Sequence, residues 1–341
     1  MLSRFKSAAR ILLRGDPKTK KRGPIPAITA EEVVEIQQFF PREKFFVFGH
    51  ARSGTTLLMR LLRLHPEVHC NYQAHFFTRP PLLKSLVDTP EAEEWLRRKS
   101  NRWNHGRDLS PLVLRAAADF ILERDAAKEG KRIVGDKSPS STIHGQAVRD
   151  LHSLYPDAKL IYIVRDGRDV LLSERFRNLV EESRFLNAED ERIAEALRKD
   201  PSQFTNGTRS LFTENVIRRV ASGWAKNLRE IEDEGRRLFG ENYCSLRYED
   251  VLERPFEEIQ RLWNFLGVQV AQSLEDDIIN EMISNPDEEW QAKRNEDLAS
   301  FLPKGRTGNW QRRFTPRDKS LFKEIAGDML VKWKYEKDLN W

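Results

Sequence analysis

The chain has 341 residues, 39% of them hydrophobic and 33% charged, with 16 prolines, 17 glycines and two cysteines. That is apolar material enough for one large domain or two small ones, and it argues against a low-complexity chain, a disulfide framework or a cysteine zinc site. The formal charge of +5 belongs to the start: residues 1–23 hold eight Lys/Arg against Asp16, which leaves 50 basic and 52 acidic residues, net −2, on the rest. A body of that sign gives no support to general nucleic-acid binding.

The opening "MLSRFKSAARILLRG" spaces Phe5, Ala8, Ile11 and Leu12 on one helical face, with Arg4, Lys6, Arg10 and Arg14 around it. Its apolar run is too short for a signal-peptide core or a membrane span. A frayed basic terminus and a helix docking on a membrane surface or a partner are both open readings. "KTKKRGPIPA" reads as a linker, and "TAEEVVEIQQFF" predicts a short helix beginning near Thr29. The division expected is an arm, linker and short helix over residues 1–43, then one domain over residues 44–341.

Within that domain "KFFVFGH" predicts a buried strand, "TTLLMRLLRLHP" a helix closed by Pro66, and "EVHCNY" a second strand. From Leu112, "LVLRAAADFILERDAA" is helical, "RIVGDK" strand-like and "SSTIHGQAVRDLHSLYP" helical again. "AKLIYIVRD" is the strongest buried strand. It is followed by helical "GRDVLLSERFRNLV", the long amphipathic "TENVIRRVASGWAKNLREIEDEGRRLFG", strand "NYCSLRYED" and helix "RPFEEIQRLWNFLG". Strands separated by helix-length crossovers predict a three-layer, P-loop-like α/β domain: a central, mostly parallel sheet, helices on both faces, and ligands at the carboxyl ends of the strands. Residues 181–207 and 291–314 break this rhythm and are places where substrate lids occur.

Chemistry concentrates at three joints. In "FVFGHARSGTTLL" the run from Gly49 reads G-x-x-x-x-G-T-T, where a nucleotide triphosphatase has G-x-x-x-x-G-K-[ST]. Gly49 and Gly54 permit a tight turn, the N–H groups opening the next helix can hold an anion, and Ser53, Thr55 and Thr56 add hydroxyls. The Arg52 guanidinium can bind the same anion without a metal. In "IYIVRDGRDVLLSERF", Arg165 ends a strand and Ser173 follows about two helical turns later, which suggests a second phosphate site for the same ligand. "LPKGRTGNWQRRF" gathers Lys304, Arg306, Arg312 and Arg313 around two glycines, either as a solvated charge run or as a loop that closes over an anion.

In this order and spacing the pieces resemble the sulfotransferases that use 3′-phosphoadenosine 5′-phosphosulfate (PAPS), from about Lys44 to Phe314. "ARSGTTLL" is similar to their phosphosulfate loop, P-[KR]-S-G-T-T, with Ala51 in place of proline, and its Arg52 resembles the tyrosylprotein and bacterial branches. "VRDGRDVLLS" resembles the 3′-phosphate element, "YEDVLERPFEEIQRLWNFLGV" the Y-E-D strand and F-L-G helix, and "KGRTGNW" the terminal K-G-x-x-G-[DN]-W loop. "GDKSP" resembles the K-[STA]-P element of bacterial and Golgi-type members.

The resemblance implies PAPS as donor substrate, with no metal. It assigns Arg52, Ser53, Gly54, Thr55 and Thr56 to the phosphosulfate, Arg165 and Ser173 to the 3′-phosphate, Tyr248 to the adenine, and Lys304 and Gly305 to a closing loop. Lys137 would stabilise the bridging oxygen or the acceptor side, or else simply turn the chain. Leu57 stands where cytosolic animal relatives carry a ring-stacking tryptophan. A sulfuryl donor has no magnesium-bridged outer phosphates, so the missing lysine is dispensable.

The proton acceptor departs from the pattern. Many relatives end the second strand in a glutamate, as in E-x-H-F-F; here "NYQAHFF" puts Gln73 there, and an amide accepts no proton usefully. His75, expected on the same face of an extended segment, is the candidate base. Asp136, the other nearby carboxylate, is expected to point away. The function expected is a cytoplasmic or membrane-peripheral sulfotransferase acting on a hydroxyl or amine of a small molecule, carbohydrate or lipid, with no nucleic-acid partner. A P-loop kinase of a small metabolite and a catalytically inactive sulfotransferase-like binding protein are the alternatives.

Overall fold

The computed structural model describes residues 22–98, 100, 102–180, 186–269, 274–284 and 307–341. In chain order the elements are α1 (Ala30–Gln37), β1 (Glu43–Gly49), α2 (Thr55–Arg63), β2 (Val68–Tyr72), α3 (Pro90–Arg97), α4 (Ser110–Lys128) and β3 (Ile133–Lys137). There follow α5 (Gly145–Leu154), β4 (Lys159–Val164), α6 (Gly167–Val180), α7 (Ala188–Lys199), α8 (Glu214–Phe239), β5 (Tyr243–Arg247), α9 (Tyr248–Glu253), α10 (Pro255–Leu266), α11 (Glu275–Ile283), α12 (Trp310–Arg313) and α13 (Pro316–Lys332).

The five strands lie in the order β2-β3-β1-β4-β5, and every pairing is parallel. A parallel sheet needs cover on both faces, and the strands alternate accordingly. Phe45, Val47, Ile161 and Ile163 pack in one layer with Leu58 and Leu62 of α2 and Trp263 of α10. Phe46, Phe48, Leu160 and Tyr162 pack in the other with Val148 and Leu151 of α5 and Trp224 of α8. This is the three-layer α/β architecture expected of the sequence.

Several boundaries differ from the sequence reading. The helix expected from Ser140 begins only at Gly145, because the Ser138 and Ser140 N–H groups donate back to the Val47 and Gly49 carbonyls, 3.1 Å each. Tyr248 opens α9 and does not continue the strand. In the region read as a linker, Arg22 is buried and donates to Val87 O (2.6 Å) and Ser110 Oγ (2.5 Å). Thr29 caps α1 in a reciprocal capping box with Glu32, as the threonine-to-glutamate spacing predicts. The amphipathic start lies outside the described residues, and among those described no helix is long and apolar enough to cross a membrane.

Candidate active site

Strand register decides which residues meet. β1 runs between β3 and β4; Val47 pairs with Lys137 and Gly49 with Ile163. The loop after Gly49 is thereby flanked by Lys137 on one side and, two residues past Ile163, by Arg165 on the other. This is the carboxyl edge at which open parallel sheets bind ligands.

The loop itself is closely built. The Ser53 N–H donates to His50 O at 3.1 Å, and Arg52 and Gly54 take left-handed backbone, φ 71° and 83°. At Arg52 that conformation costs about 1–3 kcal/mol, a strain concentrated at ligand clamps. Glycine is required at 54 twice over, since a Cβ there would lie 2.2 Å from Cδ2 of Tyr248. Ser53 is fully buried and its Oγ has no hydrogen-bond partner among the described residues. A buried hydroxyl without a partner at a helix N-terminus fits an anionic ligand group.

The second motif meets the first directly. Arg52 Nε donates to Ser173 Oγ (3.0 Å), Arg165 Nη1 donates to the Arg52 carbonyl (3.1 Å), and the Arg165 guanidinium lies 4.9 Å from the centre of the Tyr248 ring. Arg52, Gly54, Arg165, Ser173 and Tyr248 therefore form one cluster from three separate stretches. Lys304 and Gly305 lie outside the described residues. The end of their loop does not: the Gly308 and Trp310 N–H groups donate to Asp169 of α6 at 2.7 and 3.1 Å. From sequence, Asp169 has no role beyond a surface ion-pair partner of Arg165, although its place four residues after Arg165 sets it one helical turn from Ser173.

On the other flank Lys137 is fully buried. Its Nζ donates to Thr56 Oγ1 (3.2 Å) and lies 3.7 Å from the centre of the Tyr72 ring, and burial pulls its pKa down to about 8. His75 is part-buried, with Nδ1 2.9 Å from Thr78 Oγ1. Burial first, then the charges of Arg79 and Lys137, lower its pKa below the ordinary histidine value.

The extended segment expected at Gln73–His75 is not present. Gln73 continues the ladder by donating to Lys137 O (2.9 Å), but Gln73 and His75 both take positive φ, 59° and 53°. Alternation along a strand therefore does not govern which way these side chains face. Among the described residues no group of three or more His, Cys, Asp and Glu could hold a metal ion.

A model of the sulfotransferase family matches residues 44–272. The chain belongs to the sulfotransferase family. Protein-tyrosine sulfotransferase A of Caenorhabditis elegans is 23% identical over 227 residues, 65% of this chain and 49% of that protein. Nodulation protein NoeE of Sinorhizobium fredii is 27% identical over 239 residues, 66% of this chain and 50% of that protein. This sulfotransferase-family chain thus spans about half the length of these two relatives. Among solved structures, mouse sulfotransferase SULT7A1 complexed with PAP aligns with a TM-score of 0.46 at 15% identity, over 92% of this chain and 99% of that one.

Proposed function

We propose that this chain is a PAPS-dependent sulfotransferase that moves a sulfuryl group to an acceptor hydroxyl or amine. The observation that carries the reading is the junction of two anion motifs, Arg52 on Ser173 and Arg165 on the Arg52 carbonyl, beside the buried Ser53 hydroxyl. PAPS would supply the sulfuryl group. Arg52, Ser53, Thr55, Thr56 and the N–H groups opening α2 would hold its phosphosulfate, and Arg165 and Ser173 its 3′-phosphate. Tyr248 would bound the adenine, and the loop at Lys304 and Gly305 would close over the donor. Lys137 would place a positive charge at the leaving oxygen, and His75 would take the acceptor's proton. The acceptor class proposed is a small molecule, carbohydrate or lipid. Two free cysteines, Cys70 and Cys244, support a reducing, cytoplasmic setting.

Calorimetry tests the donor assignment. The chain should bind adenosine 3′,5′-bisphosphate, and PAPS should be consumed with a panel of phenols, alcohols, sugars and amines. Binding of magnesium-ATP with none of the bisphosphate would replace this reading by the kinase. Bisphosphate binding without turnover would favour the inactive binding protein, which Gln73 motivates.

The 3′-phosphate assignment makes a sharper demand. Arg165→Ala should weaken the bisphosphate by about 1.5–3 kcal/mol, the range for a charged hydrogen bond, and leave adenosine 5′-phosphate almost unaffected. Equal weakening of both nucleotides would move Arg165 away from the 3′-phosphate.

A further inference from the structure

The carboxylate of Asp136 is buried at the end of β3, on the strand face opposite Lys137. Its Oδ1 accepts the Ala74 N–H at 2.9 Å, and its Oδ2 accepts the Ser138 hydroxyl. Ser138 Oγ in turn accepts the His75 N–H at 2.8 Å. One carboxylate thus holds two consecutive N–H groups of the Gln73–His75 turn, one directly and one through Ser138. Both ends of that turn are left-handed, at about 1–2 kcal/mol for each non-glycine residue. Such backbone persists only where its surroundings over-determine it. The Asp136 carboxylate is therefore engaged with this turn through both of its oxygens.

We propose that Asp136, acting with Ser138, is a positioning residue: it pins the left-handed turn that carries His75. This rests on the sulfotransferase reading and gives the family's missing glutamate a structural counterpart. The acceptor side is set by a carboxylate that orients the base and takes no proton itself. The pKa of Asp136 is raised to about 6, mainly by burial and against the pull of its Ser138 and Ala74 hydrogen bonds, so the group is largely ionised at neutral pH and can accept both bonds. An asparagine can do nearly the same, its carbonyl accepting the Ala74 N–H and its amide donating to Ser138 Oγ.

The test compares Asp136→Ala, Ser138→Ala and Asp136→Asn in the full chain. Both alanine variants should lower kcat on an alkyl alcohol by roughly 10²-fold, the scale of a misplaced catalytic group, with the bisphosphate Kd unchanged. Asp136→Asn should stay within a few-fold of wild type, and an acidic phenol acceptor should lose much less than the alcohol. If Asp136→Asn is as impaired as Asp136→Ala, the carboxylate is itself the proton acceptor and the proposal is overturned; unchanged kcat in both alanine variants overturns it too. A second readout does not need turnover. The His75 ring resonances, identified by their loss in His75→Ala, should shift in Asp136→Ala and hold in Asp136→Asn; an unmoved ring in Asp136→Ala overturns the proposal. Failure of wild type to bind bisphosphate or consume PAPS removes the sulfotransferase reading, and the ring shift still decides the role of the turn.

Discussion

Replacing His75 by alanine should lower kcat on an alkyl alcohol by about 10²–10⁴-fold while the bisphosphate still binds, the loss typical of a removed general base. Three groups around Lys137 compete for that role: Gln73, Asp136 and His75. Gln73 cannot accept a proton, Asp136 is committed to the Ala74 N–H and the Ser138 hydroxyl, and His75 is part-buried with Arg79 and Lys137 acting on it. Those surroundings also fix the direction of the pH profile. A histidine whose pKa is lowered is already neutral at a more acid pH, so the rising limb of kcat should lie below the ordinary value of about 6.5. Acceptors already ionised, or amines free at neutral pH, should show a smaller loss. Near-full turnover of alkyl alcohols by His75→Ala would exclude it as the base.

Lys137→Ala should cost about 10²–10³-fold in kcat, the scale of removing one donor aimed at developing charge. The buried ammonium reaches Thr56 Oγ1 at the start of α2, so it stands against the loop assigned to the phosphosulfate. Its pKa near 8 gives wild type a second limb: turnover should fall as pH rises through about 8 and the ammonium loses its proton. The two groups are coupled, since the Lys137 charge helps to hold the His75 pKa down. In Lys137→Ala the alkaline limb should therefore vanish and the acid limb move up toward the ordinary histidine range. A stopped pH series with matched melting curves separates this from a folding defect; an alkaline limb that persists in the variant would remove Lys137 from the chemistry.

The layered fold was legible because its signals are local. Short apolar runs rich in aromatic and β-branched residues, such as "KFFVF" and "KLIYIV", read as strands covered on both faces, and the helix-length crossovers between them fit parallel pairing. The glycine loop was legible for the same reason: a strand, two glycines and a helix define a turn whose N–H groups face an anion. The spacing of Arg165 and Ser173 likewise follows from helix pitch alone. Where separate stretches touch is set by long-range pairing. Arg52 reaches Ser173 across 121 residues of chain because β1 and β4 pair in a particular register, which no local pattern records. The left-handed backbone at Gln73 and His75 is not a preference of glutamine or histidine. Its N–H groups are bound by the Asp136 carboxylate and the Ser138 hydroxyl 62 and 63 residues away, so a period-two reading of "NYQAHFF" does not govern this turn. Local patterns thus carry the elements and the anion loop, whereas long-range hydrogen bonds and strand register set the backbone around the groups that would handle the proton.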